Sequence, residues 1–277
     1  MFDVITIGSA TRDVLMKVPD QLPLGVKVDI SEIFFATGGG GTNAAVTFAR
    51  QGFSTACVCV LGHDSDGDEI LKELRQEGIN TDLIVHHSDD RTAYSSVLIH
   101  PGGERTILTY KGEGQHFSTV NVPVDQLEAK WFYISSLGGH IELAQALIDR
   151  AKSIGAKVAW NPGSREIILK PSLNTVDVFS VNKEEARLLG APAYAGIYMI
   201  TDGANGVTVK DKNNKMYRGE VKDKRVVDRT GAGDAYCSGF VAEFMRSNDI
   251  EKAMEFGIKN ATSVVQYYGA KTGILRT

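Results

Sequence analysis

From residue 131 onward, short β-branched and aromatic runs alternate with stretches of helical length, and few folds accommodate that order. Strands are expected at 131–135, 157–160, 177–181, 197–201 and 207–209, and helices at 141–154, 183–189, 234–246 and 251–268. Strands joined through helices pair in parallel, and a parallel sheet needs apolar cover on both faces. The earlier chain contributes to the same pattern. Val4 to Ile7 reads as a strand ending at Gly8-Ser9, and Ala44 to Arg50 as a helix closed by Gly52. Thr55 to Leu61 is a strand closed by Gly62, and Asp66 to Glu77 a helix with Ile70, Leu71 and Leu74 on one face and Gly78 as its stop. The expected fold class is α/β, a mainly parallel central sheet with helices on both faces.

Two segments resist this alternation. From Asp13 to Phe35 the pattern is choppy, with Pro19, Pro23 and Gly25 between short apolar groups. Residues 92–99 and 105–110 read as a β-hairpin turning at Pro101-Gly-Gly103. We read 11–36 and 91–110 as a small β-sheet lid on a single domain spanning 1–277; there is no repeat, low-complexity tract or linker. Length suits that organisation, and 43% hydrophobic residues suffice for a core. Thirty basic against 34 acidic side chains, a net charge of -4, argue against a nucleic-acid partner. No apolar run is long enough to span a bilayer, and the start Met1-Phe-Asp lacks the basic opening of a secretory signal, so a cytoplasmic location is expected. Cys57, Cys59 and Cys237 are too few for a disulfide framework and are expected as reduced structural thiols. His86, His87 and His140 show no metal-ligand spacing, and Trp131 and Tyr133 read as strand core residues.

Two glycine-rich elements, nearly 190 residues apart, each open a helix: Gly38-Gly-Gly-Gly41 with Thr42-Asn43, and Gly231-Ala-Gly233. Unpaired amides at a helix N-terminus carry the positive end of the dipole and can receive a phosphate, and small residues let the anion approach. Asp234 falls in the first turn beside such a site, where a carboxylate can take a proton from a substrate hydroxyl. Taken alone, Asp234 could equally be a dipole partner and Gly38 to Gly41 a flexible turn.

With their context, these segments resemble the ribokinase-like (PfkB) carbohydrate and nucleoside kinase family. Gly38-Gly39 through Asn43-Ala44 resembles its first signature, and Asp228-Arg-Thr-Gly-Ala-Gly-Asp234 its second. Asn182-Lys-Glu-Glu185 resembles the family's magnesium element, and Thr201-Asp-Gly203-Ala-Asn-Gly206 its nucleotide-binding stretch. The resemblance covers essentially the whole chain. It implies an ATP- and Mg²⁺-dependent kinase acting on a hydroxyl of a small sugar or nucleoside. Asp234 would be the base, and Gly231, Ala232 and Gly233 the anion hole. Asp13, Gly39, Gly40 and Asn43 would bind the acceptor. Asn182 and Glu185 would place Mg²⁺ through water, with Thr201, Gly203, Gly206 and Asn260 along the nucleotide. Asp228 and Thr230, with backbone carbonyls near Gly269, would hold a monovalent cation such as K⁺, and the lid would pair two copies in a homodimer.

Three departures bear on the acceptor. Gly40 stands where ribokinases usually have Lys, Arg229 replaces the usual Thr, and Ser135 to Gly139 offers no carboxylate to grip a sugar. Phe34, Phe35 and Ile33 on the lid would suit stacking on a nucleoside base. Outside the kinase reading stand a catalytically inactive binding protein on the same scaffold and a dinucleotide-dependent oxidoreductase. Ile5-Thr-Ile-Gly8-Ser-Ala suggests the latter, but no Gly-x-Gly-x-x-Gly follows the first strand.

Overall fold

The architecture is taken from a computed structural model, which describes all residues except 88–89, 170–172, 174, 191–193, 195 and 224. In chain order the first half comprises β1 (Phe2–Ile7), β2 (Thr11–Lys17), β3 (Glu32–Gly38), α1 (Gly40–Arg50), β4 (Thr55–Val58), β5 (Val60–Gly62), α2 (Ser65–Gln76), β6 (Val85–His87), β7 (Tyr94–Ile99) and β8 (Arg105–Tyr110). The second half adds β9 (Ala129–Ile134), α3 (Ile141–Ser153), β10 (Lys157–Trp160), α4 (Ser164–Ile168), β11 (Val178–Asn182), α5 (Lys183–Leu189), β12 (Ile197–Thr201), β13 (Val207–Lys210), β14 (Met216–Gly219), α6 (Ala232–Ser247) and α7 (Ile250–Val264).

Eight strands form the central sheet in the order β14-β13-β12-β11-β10-β9-β1-β4. It is parallel from β12 to β4, and β13 and β14 add an antiparallel edge. Side chains alternate between its faces. Ile5, Ile7, Phe132, Ile134, Trp160 and Phe179 pack against α3 and α4 on one side. Val4, Tyr133, Ala159, Val178 and Met199 pack against α1, α6 and α7 on the other. Trp131 and Tyr133 are buried, as expected of strand core residues.

The lid is a four-stranded sheet, β3-β2-β7-β8, in which β2 and β7 run parallel while the outer pairs are antiparallel. Its faces differ in character. Asp13, Leu15, Phe34, Ala36, Ser95, Val97 and Arg105 fall on the face toward the body by register, where Phe34 stacks on Tyr268 with ring centroids 4.2 Å apart. Ile33, Phe35 and Leu108 lie on the opposite face, where Phe35 is 63% exposed.

Several boundaries differ from expectation for local reasons. The first helix starts at Gly40 rather than Ala44, so its glycines are its first turn. The run 55–61 is two strands, since β5 leaves the central sheet to pair with β6. The last helix ends at Val264, short of 268, because the Val265 carbonyl accepts the amides of Val227 and Asp228 and the chain turns there. Edge strand β14 and the five-residue α4 carry too short a pattern to be read from sequence. Cys57 and Cys59 are buried together under α2, and all three cysteines are free. The strand β1 leads through Gly8 into another strand and not into a helix, the opposite of what a dinucleotide-binding turn requires. No helix among the described residues is long and apolar enough to cross a membrane.

Candidate active site

The C-terminal ends of the parallel strands meet two helix N-termini, the position where open α/β sheets bind ligands. On the α1 side, Gly39 is the N-cap with φ +97°, and a Cβ there would lie 2.4 Å from the Ser9 carbonyl oxygen. This close approach lets the Gly41 amide donate to the Ser9 carbonyl at 3.1 Å and the Gly40 amide to the Ser9 hydroxyl at 3.1 Å. On the α6 side, Gly231 is an N-cap with φ +76°, pressed against Ala270, while a Cβ on Gly233 would meet only open space. Packing thus explains Gly231, whereas the smallness of Gly233 leaves room above the helix end.

The two helices are tied at the site itself, where Asn43 Nδ2 donates to Asp234 Oδ2 at 2.8 Å across 191 residues of sequence. Below it, the Ser238 and Thr47 hydroxyls bond at 2.9 Å. Asp234 lies at the floor of a cavity of about 270 Å³, lined by Ser9, Gly40, Ser135, Ser136, Asn161, Pro162, Asn182, Glu185, Thr201, Gly233, Asp234 and Cys237. Removal from water raises the Asp234 carboxyl above the usual carboxylate range, and the Asn43 amide partly offsets this. Cys237 packs on Ser180 of β11, and burial pushes its thiol up to about 12, so it stays protonated and inert.

Asn182 and Glu185 form a capping box at the start of α5. The Asn182 side chain accepts from the Glu185 amide at 2.9 Å, and Glu185 Oε2 accepts from the Asn182 amide at 2.9 Å. Ser164 donates to Glu185 Oε1 at 3.2 Å. Burial raises the Glu185 carboxyl, and these bonds hold it back. The acid is therefore both a helix cap and part of the cavity wall. Among the described residues no cluster of His, Cys, Asp and Glu forms a metal cage. One carboxylate beside an amide oxygen does suit a hydrated Mg²⁺, which keeps several waters and takes the rest of its shell from phosphates.

Asp13, on lid strand β2, sits beside the first glycine-rich turn but is not among the residues lining that cavity. It is 6% exposed, accepts from Thr11 at 2.9 Å, and lies against Gly38, whose Cβ would fall 2.0 Å from its Oδ2. Burial raises its carboxyl, with Thr11 and Ser95 hydrogen bonds opposing. Gly203 and Gly206 form the turn between β12 and β13, and a Cβ on Gly206 would stand 2.1 Å from the Gly219 carbonyl oxygen. Beyond that turn a cleft of about 740 Å³ runs between Gly219 to Asp223 and the α7 face bearing Met254, Ile258 and Thr262. Asn260 is on the other side of that helix. It is fully buried, donating to the Ala235 carbonyl at 2.9 Å and accepting the Leu275 amide at 3.0 Å, and lines neither cavity.

Asp228 is 3% exposed and gathers the Thr230 amide, the Thr230 hydroxyl and the Gly269 amide at 2.7–3.0 Å. Six cavity residues are not among the expected site residues: Ser9, Ser135, Ser136, Asn161, Pro162 and Cys237. Asn161-Pro-Gly follows a strand directly, a signal that was available; the serines carry none. The carboxylate absent from 135–139 arrives as Glu166, but behind the loop. It is fully buried and accepts the amides of Leu137, Gly139 and Gly163 at 2.6–3.1 Å.

Over residues 1–277 the chain matches the pfkB family carbohydrate kinase pattern. Ribokinase of Haemophilus influenzae is 28% identical over 291 residues, covering 97% of this chain and 94% of that protein. The nucleoside kinase of Methanocaldococcus jannaschii superposes with a TM-score of 0.86 at 20% identity, over 100% of this chain and 95% of that one. Ribokinase of Cryptococcus neoformans var. grubii, solved in complex with ADP, gives a TM-score of 0.84 at 18% identity, over 100% and 97%. At those identities the two solved structures establish the shared fold.

Proposed function

The chain belongs to the pfkB family of carbohydrate kinases, and from that premise we propose that it transfers the γ-phosphoryl group of ATP to a hydroxyl of a small sugar, with Asp234 as general base. The observation that carries this reading is the Asn43–Asp234 hydrogen bond of 2.8 Å, which fixes a carboxylate between two helix N-termini in one cavity. The acceptor hydroxyl enters between Gly40 and Asp234, and Asp234 takes its proton as the oxygen attacks phosphorus. The first-turn amides of α6, around Gly231, Ala232 and Gly233, face the transferred group and stabilise its charge. Asp13 accepts from other hydroxyls of the acceptor and fixes its orientation, with Gly39 and Gly40 keeping the approach clear. Asn182 and Glu185 would hold a hydrated Mg²⁺, which when bound would supply charge neutralisation at the phosphates. The nucleotide runs past Thr201, Gly203 and Gly206, and its base enters the cleft beside Met254 and Ile258.

Sugar is favoured over nucleoside by the lid. Phe34 is already stacked on Tyr268, Phe35 and Ile33 fall on the opposite face, and among the described residues no aromatic side chain lines the central cavity. Apolar residues on the outward lid face support pairing of two copies there. The test is an ADP-release screen across pentoses, hexoses, their phosphates and nucleosides. We expect turnover on a sugar or sugar phosphate. Turnover confined to nucleosides would overturn the acceptor assignment, and turnover on nothing in the panel would favour an inactive binding scaffold.

A further inference from the structure

The turn Asp228–Thr230 is where the family resemblance puts a monovalent cation, and the residues gathered there do not fit one. Asp228 Oδ1 accepts the Thr230 amide and hydroxyl, and Oδ2 accepts the Gly269 amide. The remaining approach to Oδ1 is taken by Arg105, the first residue of lid strand β8. Its Nη1 stands 3.8 Å from Asp228 Oδ1 and 3.4 Å from Thr230 Oγ1. A guanidinium therefore already supplies the positive charge that this buried carboxylate requires, and a second cation beside it would be repelled. The neighbouring residues form the crossed pair: Arg229 on the turn meets lid Glu104 at 3.2 Å. Both of those side chains are mostly exposed, so that pair steers docking more than it stabilises it.

The same turn builds the phosphate site. Asp228 sits three residues before the α6 N-cap, and the Ala232 amide donates to the Arg229 carbonyl at 3.3 Å. Gly269, held by Asp228, precedes Ala270, against which Gly231 packs. One carboxylate thus fixes both walls behind the α6 amides, and its charge balance comes from the lid. Arg105 is joined through β8 and β7 to β2, which carries Asp13.

We propose that Arg105 takes the place of a monovalent cation, neutralising Asp228 from the lid and thereby ordering the turn that presents the α6 amides to phosphate. Nucleotide handling is then indifferent to potassium and coupled to lid docking. Arg105 is a positioning residue in this account, which rests on the kinase reading above.

The test is calorimetric binding of ADP with magnesium in potassium chloride and in tetramethylammonium chloride at equal ionic strength. Wild type is expected to bind equally in both salts. Arg105→Ala should bind more weakly in tetramethylammonium, by a factor within the roughly 5- to 150-fold range usual for coupled sites. It should recover most of that loss in potassium, because a small cation can now reach Asp228. Arg105→Lys, which keeps the charge, should stay indifferent to the salt. Wild-type affinity that rises clearly in potassium overturns the proposal, as does an Arg105→Ala protein that binds like wild type in both salts. An equal loss in both salts overturns it too, since it marks an ordinary structural contact. A wild type that binds no ADP in either salt takes the kinase reading down together with this one.

Discussion

Asp234 is held in a balance between desolvation, which favours its protonated form, and the Asn43 amide, which favours the carboxylate. Two outcomes follow from the sign of each contribution. Asp234→Asn keeps the shape of the site but cannot accept the hydroxyl proton, so kcat should fall by about 10²–10⁴. ADP affinity should change little, because the α6 amides remain. Since ionised Asp234 is costly to bury, its contribution to stability is lost as pH rises through its raised pKa, and the Asn variant should melt no lower than wild type at neutral pH. Turnover near the wild-type value at saturating substrate would remove Asp234 from the base role. Asn43→Ala takes away the interaction that lowers the pKa, so the acid limb of the kcat–pH profile should move to higher pH. An unmoved limb would show that Asn43 does not act on the base. At this scale the sequence exposed Asp234, Asn43 and Glu185 because each sits beside a helix start that glycine or Asn marks. It gave no role to Ser135, which reaches the cavity only through tertiary packing, and it placed Asn260 along the nucleotide although that side chain lines neither cavity. On α7 the cleft is lined by the pairs Met254-Glu255, Ile258-Lys259 and Thr262-Ser263, spaced by four, and Asn260 falls off that stripe.

Short elements with strong end signals set the geometry around Asn182 and Glu185. The Asn182–Glu185 capping box starts α5 where β11 ends, so an acid that lines the cavity also begins the helix. Glu185→Gln can still accept the Asn182 amide and should unfold within about 1 kcal/mol of wild type. Its missing charge should nevertheless raise the magnesium requirement and lower turnover. A magnesium titration superimposable on wild type would leave Glu185 as a cap alone. The β/α alternation was legible because the inner parallel strands are buried on both faces and the longer helices between them carry apolar stripes. What sequence could not show was pairing between segments far apart, such as β2 alongside β7, or β5 leaving the main sheet for β6. Hydrophobic pattern fixes which residues are covered, but a parallel partner is chosen by the packing of the whole sheet.

The molecule as a whole exposes its apolar surface unevenly. Phe35 is 63% exposed, Leu108 59% and Ile33 48%, all on the outward lid face. Such a patch favours association, and light scattering at micromolar concentration should give the mass of two chains. Phe35→Glu should shift that population toward one chain while leaving ADP binding within about twofold, because Phe35 faces away from the cavity. A wild-type protein that scatters as a single chain would refute lid pairing. One further consequence follows from the bond joining Asn43 to Asp234. During synthesis the sheet can begin with β1 and β4, yet β1 stays half-covered until β9 emerges, and growth then proceeds outward strand by strand. The Asn43 side of the cavity is made early and Asp234 comes near the end, so an unfinished chain on the ribosome holds one helix N-terminus without the carboxylate it is tied to. Such long-range closure slows folding, and it also means that no nascent fragment lacking α6 can hydrolyse nucleotide by way of Asp234.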